Sequence, residues 1–344
     1  MQPTRIIMTS HIYSKNGWDP LKEVIVGRAN NANIPPYDAS MQNFMYANLD
    51  PVAIKEFSGP YSEQVINEAN QDLEKLCSVL RGLGVIVHRP EFVDHTETIR
   101  TPEWSTTGWH NYCPRDIFLV VGDNLVETPT VMRCRYFEHW GYHHIFEDMI
   151  CKWFSAPKPR YRDNNFDFSD LSKPTLLDKE ILFDGANIVR LNDDLLYQVS
   201  NSGNLQGVRW LQQMFPKHRV RPIYGYSGAH IDSTIMPLRE GLVLFNADRV
   251  QPDNYPKFFE DWDKIFFNDF APCGVDDGGI SSNAIGMNLL SINPNLVIVD
   301  ENQKSLIAEL KRHEIESIPL PMRHARTLGG SFHCVTLDLR RQHG

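Results

Sequence analysis

Five polar residues of this chain combine side-chain types that could carry out nucleophilic chemistry. They are Cys334, His230, Asp232, Asp116 and Asp184. A cysteine becomes a nucleophile when a neighbouring cation or base stabilises its thiolate, and a histidine within reach can then pass protons to the leaving group. Cys334 is the best candidate of the six cysteines because a glycine-rich segment, Gly329-Gly330-Ser331, lies just before it. Glycines let a backbone come close to a ligand.

The proton shuttle of such a site needs a histidine that is held by a carboxylate. His230 and Asp232 stand two residues apart, so on a strand they would share one face, and Asp232 would orient the ring of His230. His333 is adjacent to Cys334 and would alternate to the opposite face of the last strand. We therefore expect His333 to pack or to support a neighbouring residue rather than to exchange protons with Cys334.

Repeated hairpin patterns must position these residues. Short apolar runs joined by polar turns predict hairpins over residues 117–128, 187–199, 233–245 and 287–299. Strands over 23–27 and 334–339 could pair and close a ring. The helical patterns cover 63–83, 135–154, 205–215, 255–262 and 304–313.

This spacing predicts an α/β fold of about five β-β-α-β modules rather than one parallel sheet. Asp116 and Asp184 come just before the first two hairpins, His230 and Asp232 open the third, and Cys334 opens the last strand. Equivalent strand ends converge in a closed radial arrangement, so we expect these residues to share one pocket.

Composition excludes several classes of protein. The chain has 344 residues with 34 basic and 43 acidic side chains, a net charge of −9, and no block of Lys and Arg that would bind nucleic acid. No segment approaches the ~18 uncharged apolar residues of a membrane span, and residues 1–8 do not form a signal peptide. The six cysteines include no C-x-x-C pair, so we expect a cytoplasmic protein.

The pocket residues indicate a cationic substrate and no metal. None of the five candidates shows ligand spacing such as H-x-x-x-H, and the adjacent His143 and His144 cannot both face one site from a helix. A thiolate flanked by carboxylates disfavours anions and suits a planar cation with an electrophilic carbon. The guanidinium of arginine fits, because each carboxylate can accept two of its N–H groups. Its charge would also help to hold Cys334 as a thiolate.

These residues lie in motifs that resemble the arginine-dependent amidinotransferases, the family that contains glycine amidinotransferase and the inosamine-phosphate amidinotransferases. The resemblance runs from Asn16-Gly17-Trp18-Asp19-Pro20 to the closing motif Phe332-His333-Cys334-Val335-Thr336-Leu337-Asp338-Leu339-Arg340-Arg341, which is its most specific part. The other matching segments are Cys113-Pro114-Arg115-Asp116, Ser155-Ala156-Pro157-Lys158-Pro159, Phe183-Asp184-Gly185-Ala186-Asn187, His230-Ile231-Asp232-Ser233-Thr234 and Asn246-Ala247-Asp248-Arg249.

The resemblance implies a five-bladed α/β propeller and one catalytic domain over residues 1–344, without a cofactor, in a homodimer. It implies that Cys334 carries the amidino group of L-arginine to an amine acceptor, with His230 as general acid and base and Asp184 as its carboxylate partner. Asp116 would grip the guanidinium. The residues implied at the amino-acid end of arginine are Asp232, Arg249, Ser281 and Ser282. This role of Asp232 competes with the orientation of His230 that its spacing suggests.

Two departures from the family pattern bear on this comparison. Glycine amidinotransferases have Phe-Asp-x-Ala-Asp where this chain has Phe183-Asp184-Gly185-Ala186-Asn187, and the Asn form resembles the aminocyclitol branch. The acceptor is therefore expected to be an amine of secondary metabolism other than glycine. Relatives also usually run on for several residues beyond the equivalent of Arg341-Gln342-His343-Gly344.

Two other functions use the same residues. Arginine deiminases have a similar Cys, His and carboxylate set but let water resolve the intermediate, and a propeller without catalysis could serve as a binding module. The closing motif favours transfer over both. Incubation with arginine separates the three, since transfer yields ornithine and a guanidino product, hydrolysis yields citrulline and ammonia, and a binding module yields neither.

Overall fold

A computed structural model describes residues 10–45, 58–274 and 280–343. The segment 1–8, examined above for a signal peptide, and the last residue, Gly344, lie outside the described ranges. The strands of the described part, in chain order, are β1 (Leu21–Val26), β2 (Asn33–Ile34), β3 (Gly59–Pro60), β4 (Ile86–His88), β5 (Thr98–Arg100), β6 (Ser105–Thr107), β7 (Phe118–Val121), β8 (Asn124–Glu127), β9 (Lys152–Ser155), β10 (Ile188–Leu191), β11 (Asp194–Val199), β12 (Arg219–Tyr224), β13 (Ile235–Arg239), β14 (Leu242–Asn246), β15 (Asp263–Phe267), β16 (Leu290–Asn293), β17 (Leu296–Asp300), β18 (Glu316–Leu320) and β19 (Thr336–Arg341).

Helices connect many of these strands. The α-helices of the described ranges are Ala39–Met45, Glu63–Gly82, Pro114–Ile117, His143–Phe146, Leu205–Met214 and Lys304–Arg312. The 3₁₀ helices are Arg133–Arg135, Glu138–Tyr142, Asp163–Asn165, Gly185–Asn187, Lys257–Phe259 and Asn283–Met287. In these parts of the chain, none of the helices combines the length and apolar character that a membrane span requires.

Five three-stranded sheets share one topology. Their strand orders are β19-β1-β4, β7-β8-β9, β10-β11-β12, β13-β14-β15 and β16-β17-β18. In each sheet the first two strands are antiparallel and the third is parallel to the second. The four hairpins predicted from sequence are confirmed, and so is the pairing of the N-terminal and C-terminal strands, with Val26 opposite Thr336.

The third strand of each sheet is the most exposed of the three. Every residue of β7 and β10 is buried, whereas β9 and β12 contain no buried residue. The first two strands therefore form the buried part of each sheet, and Asp116, Asp184 and Cys334, which come just before first strands, are buried as well. This difference in burial is the main way in which the fold positions the site.

The helix Glu63–Gly82 shows how local sequence defines an element. Its N-cap residue, Ser62, accepts a hydrogen bond from the backbone of Val65 at 3.3 Å. Buried apolar residues then recur at steps of three and four, including Ala69, Leu73, Leu76 and Leu80. The chain leaves the helix through Gly84 at a φ of 79°, a conformation that favours glycine. The predicted bounds, 63–83, agree closely.

Two predicted helices are wrong, whereas 205–215 and 304–313 agree with the structure within one residue. The segment 135–154 forms short helical turns followed by strand β9. Gly141 interrupts the segment where a side chain would meet Asn111 and Val93 at about 3.1 Å. The segment 255–262 forms only the short Lys257–Phe259 turn, in which Phe259 is fully buried.

Candidate active site

A cavity of about 510 Å³ is lined by residues that include segments just before β7, β13, β16 and β19. Cys334, His230, Asp116 and Asp232 line it together, as the sequence predicts. Asp184, which the sequence also predicts in this pocket, does not line it; the prediction is wrong for this residue, which lies behind His230 and bonds to that ring. Arg249, Ser281 and Ser282 also line the cavity.

Cys334 lies in a turn two residues before β19 rather than in the strand itself. Its backbone N–H and that of His333 donate to the Asn288 side-chain oxygen at 2.9 and 3.1 Å, which fixes the turn. The thiol donates to Asp232 Oδ2 at 3.2 Å. Burial, followed by the negative charge of Asp232, raises the pKa of Cys334 well above its usual range.

The approach to Cys334 requires glycine at position 330. A side-chain carbon there would lie 2.5 Å from Cys113 Sγ and 2.8 Å from Cys334 Cβ. Both contacts are too close for any larger residue. The glycine-rich approach predicted from sequence therefore accommodates the two cysteine side chains themselves.

His230 bonds to Asp184, with Nε2 2.9 Å from Oδ2. Its other nitrogen, Nδ1, is 3.7 Å from Asp116 Oδ1. Burial by itself would lower the pKa of His230, but Asp116, Asp184 and Asp232 outweigh it and raise the pKa to about 9. At neutral pH the ring is therefore an imidazolium that can donate a proton.

The prediction that Asp232 orients His230 from a shared strand face is wrong. Residues 230–234 form a loop and turn before β13, so the alternation of a strand does not apply. Asp232 Oδ2 instead accepts from His333 Nδ1 at 2.9 Å and from the Cys334 thiol. Burial opposes ionisation of Asp232, yet the bond from His333 and nearby positive charge lower its pKa. His333 therefore supports Asp232, and burial together with Arg115 lowers the pKa of His333 to about 4.

Asp116 and Asp184 each have one bonded and one free oxygen. Asp116 Oδ2 accepts from Arg135 Nη1 at 2.6 Å, and Asp184 Oδ2 faces His230. Among the described residues, Asp116 Oδ1 and Asp184 Oδ1 are buried without a hydrogen-bond partner. Unpaired buried acceptors are costly, and Asp116 lines the cavity, so its free oxygen suits a ligand that brings N–H donors. Burial raises the pKa of Asp184, while His230 opposes that rise.

Arg135 is a site residue that sequence reasoning missed. Its side chain is fully buried and binds Glu138 with Nε and Nη2 at 2.6 and 2.8 Å, besides its bond to Asp116. Burial would lower the pKa of Arg135, but Glu138 and Asp116 raise it well above its usual range. Burial raises the pKa of Glu138 to about 7 despite Arg135. The sequence signal for this pair is an Arg and a Glu three residues apart. Because that spacing is common on exposed helices, it does not indicate a buried ion pair.

Arg115 and Asp116 are adjacent in the helix Pro114–Ile117, but their side chains bind different groups. Arg115 Nε donates to the backbone oxygens of His333 and Thr336 at 2.9 and 3.0 Å, and Nη2 binds Asp338 Oδ1 at 2.8 Å. Asp338 is fully buried and also binds Arg190. The closing motif thus holds the Cys334 turn against the segment that carries Asp116.

Arg249, Ser281 and Ser282, three of the residues implied at the amino-acid end of arginine, line the cavity. Arg249 is half-buried, donates to Thr234 Oγ1 at 2.7 Å, and has its pKa lowered by burial. Ser281 is half-buried and Ser282 is exposed. A cation and two hydroxyl groups on this wall could bind a carboxylate.

Comparison with known proteins agrees with this arrangement, although no protein-family model matches the chain. The sequence is 42% identical over 332 residues to inosamine-phosphate amidinotransferase 1 of Streptomyces glaucescens, covering 95% of each chain. It is 32% identical to the L-arginine:L-lysine amidinotransferase of Pseudomonas savastanoi pv. phaseolicola, covering 98% of this chain and 96% of the relative.

Among solved structures, the inosamine-phosphate amidinotransferase of Streptomyces griseus superposes with a TM-score of 0.93 at 42% identity, covering 97% of this chain and 98% of the other. Both the sequence and the fold therefore match over nearly their whole length. The chain is an enzyme and belongs to the amidinotransferase family.

Proposed function

We propose that this enzyme transfers the amidino group of L-arginine to an amine acceptor of secondary metabolism through an S-amidino intermediate on Cys334. The observation that carries the proposal is the cavity that Cys334 shares with His230 and Asp116, where Asp116 Oδ1 is buried without a hydrogen-bond partner among the described residues. A guanidinium is planar and cationic, and it supplies several N–H donors in fixed directions.

The charge balance of the cavity supports a cationic donor substrate. Three aspartates lie at or directly behind the cavity, and burial of Cys334 beside Asp232 disfavours its thiolate. A bound guanidinium would partly neutralise the carboxylates and lower the pKa of Cys334. The Cys334 thiol would then lose its proton to solvent when the substrate binds, which forms the thiolate nucleophile.

In the first half-reaction, the Cys334 thiolate attacks the guanidinium carbon and forms a C–S bond. The bond from that carbon to the δ-nitrogen breaks, and His230 gives its proton to the departing nitrogen of ornithine. The pKa of His230, about 9, keeps the ring protonated for this step at neutral pH. Asp184 holds the ring through its 2.9 Å bond.

In the second half-reaction, the amine acceptor attacks the same carbon and the C–S bond breaks. His230, now neutral, takes the proton of the attacking amine, and Cys334 leaves as a thiolate. Atoms and charge balance over the two steps without a cofactor or metal. General acid and base catalysis of this kind typically contributes ~10² to 10⁴ in rate.

The amino-acid end of arginine would extend toward Arg249, Ser281 and Ser282. Arg249 remains cationic and can accept the carboxylate, and the serines can donate hydrogen bonds. The resemblance implies Asp232 at the amino-acid end of arginine, but its Oδ2 accepts from the Cys334 thiol at 3.2 Å, so we propose that it lies beside the guanidinium. Its contacts with Cys334 and His333 support a position between nucleophile and substrate.

The acceptor is proposed to be an amine other than glycine. The relative named for inosamine phosphate supports an acceptor of this kind, because it is 42% identical to this chain whereas relatives named glycine amidinotransferase are 31–33% identical. Asn187, the residue that departs from the glycine type, is itself fully buried and bonded to Gln198 and Ser202. Its effect on acceptor choice would therefore be indirect.

We further propose that residues 1–344 form one catalytic domain, a five-bladed propeller that acts as a cytoplasmic homodimer. The five sheets of equal topology support the propeller, and six free cysteines support a reducing compartment. Light scattering of the purified protein tests the dimer.

Product analysis tests the proposed reaction. The enzyme is incubated with arginine, with and without a panel of amines that includes aminocyclitol phosphates, lysine, ornithine and glycine. Transfer predicts ornithine together with a guanidino product only when the right amine is present. Citrulline and ammonia in the absence of amine would establish hydrolysis, and no consumption of arginine under any condition would leave a binding protein.

A further inference from the structure

A second cluster of ligating side chains lies outside the cavity. Glu127 ends β8, His139 lies in the 3₁₀ helix Glu138–Tyr142, and His143 begins the helix His143–Phe146. One carboxylate oxygen and one imidazole nitrogen from each histidine all lie within 4.8 Å of one another. The two histidines are four residues apart, the H-x-x-x-H spacing that the candidates for the cavity lack.

The geometry directs both rings at the same carboxylate. His143 Nε2 is 2.9 Å from Glu127 Oε1, and His139 Nε2 is 3.6 Å from Glu127 Oε2. In a tetrahedral zinc site with bonds of ~2.0–2.2 Å, ligand atoms lie about 3.4 Å apart. The three side chains therefore need only small adjustments to share one ion.

The surroundings hold the carboxylate and leave a route to solvent. Trp153 Nε1 donates to Glu127 Oε1 at 3.0 Å and so orients the carboxylate. Glu127 and His139 are buried, while the His143 side chain is 31% exposed. An ion can enter past His143 and keep one coordination position open to water.

We propose that Glu127, His139 and His143 form a three-ligand site for a divalent transition-metal ion of the zinc class. Two imidazoles and one carboxylate are a donor set that zinc accepts, and imidazole favours such ions over Mg²⁺ and Ca²⁺. The proposal is independent of the reaction assigned to the cavity.

One positive charge opposes the ion. Lys158 Nζ lies 3.4 Å from His139 Nδ1, on the side of the ring away from Glu127. It also donates to the backbone oxygen of Tyr136 at 3.4 Å. Removing this charge in Lys158→Met should tighten metal binding, because the cationic side chain repels the ion through the ring.

The site would act on the segment that holds Asp116. His139 directly follows Glu138, the residue that binds Arg135, and Glu127 directly precedes Thr128, whose hydroxyl donates to the Asp116 backbone at 2.9 Å. An ion bound between β8 and the 3₁₀ helix Glu138–Tyr142 would thus restrain Thr128 and, through Glu138, Arg135. These two residues bind Asp116. The role of the ion is structural rather than chemical.

The test uses the full-length enzyme after treatment with a chelator. ZnCl₂ is titrated by calorimetry into the parent, His143→Gln, Glu127→Gln and the control His144→Gln, and melting temperature is measured with and without the ion. His144 is the adjacent histidine, and its ring faces the exposed Glu91 at 3.8 Å. Glutamine keeps hydrogen-bonding capacity, so His143→Gln should fold.

We expect one equivalent of zinc and a raised melting temperature in the parent and in His144→Gln, and loss of both effects in His143→Gln and Glu127→Gln. Zinc binding in those two variants equal to that of the parent would overturn the proposal, as would absence of binding in the parent.

Cobalt gives a second readout that needs no variant. Co²⁺ bound to the parent should show the visible bands of a tetrahedral nitrogen and oxygen site. A sulfur-to-cobalt charge-transfer band in its place would assign the ion to cysteine and overturn the proposal.

Discussion

The substitution Asp184→Asn tests whether a carboxylate sets the protonation of His230. Asp184 is fully buried, and its Oδ2 is 2.9 Å from His230 Nε2. Asparagine keeps the size of the side chain and can still accept one bond through its amide oxygen. The change therefore removes charge with little change in packing.

The magnitude follows from the strength of the bond. A hydrogen bond to a charged group contributes ~1.5–3 kcal/mol, against ~0.5–1.5 kcal/mol for a neutral one. The imidazolium would thus lose about 1–2 kcal/mol of stabilisation, and one pKa unit corresponds to about 1.4 kcal/mol. We expect the pKa of His230 to fall from about 9 by roughly one unit.

The direction of the His230 pKa shift determines the pH range in which the substitution has an effect. A raised pKa means that the ring keeps its proton as pH rises through neutrality and loses it near 9. In Asp184→Asn the proton should be lost about one unit earlier. NMR titration of the His230 ring in resting enzyme measures this directly, because it does not depend on turnover.

Asp193→Asn is the matched control, since Asp193 is exposed in the turn of the same hairpin. A His230 pKa that is equal in the parent, Asp184→Asn and Asp193→Asn would refute the reasoning. In that case a group other than Asp184 would stabilise the protonated form of His230.

Three further substitutions have defined outcomes. His230→Asn should lower kcat by ~10² to 10⁴ with an unchanged melting temperature, and activity near that of the parent would assign proton transfer elsewhere. Asp116→Asn should lower kcat/KM for arginine at least about tenfold because one unpaired acceptor becomes a donor, whereas Asp123→Asn in the turn of that hairpin should do almost nothing in the same assay. Arg135→Met should destabilise the fold by ~3–5 kcal/mol in urea unfolding, because it leaves buried carboxylates unpaired, and a stable variant would contradict this assignment.

Much of the fold could be predicted because its signals are local. The hairpin over residues 187–199 follows from apolar runs on either side of Asn192-Asp193-Asp194, and Asn192 indeed adopts a φ of 59° in the turn. Turn chemistry and strand alternation need only neighbouring residues. The predicted helix over 135–154 failed because the close packing of Gly141 against Asn111 and Val93, which are distant in sequence, interrupts the segment.

In the candidate site, too, some features could be predicted from the sequence and others could not. The resemblance to the amidinotransferases pairs Asp184 with His230, and the structure contains that hydrogen bond, although the catalytic roles of both stay predictions. Strand periodicity assigned Asp232 to the wrong histidine because residues 230–234 form a turn. The direction of a side chain in a turn depends on contacts across the fold, such as the bond to His333, which lies 101 residues away in sequence.

Mass spectrometry of the enzyme mixed with arginine alone tests whether Cys334 carries the amidino group. In the absence of an acceptor, we expect the mass of one amidino group on the peptide that contains Cys334, one ornithine released per active site, and neither product in Cys334→Ser. Transfer to an acceptor by Cys334→Ser at the rate of the parent, or an adduct on any other residue, would contradict it.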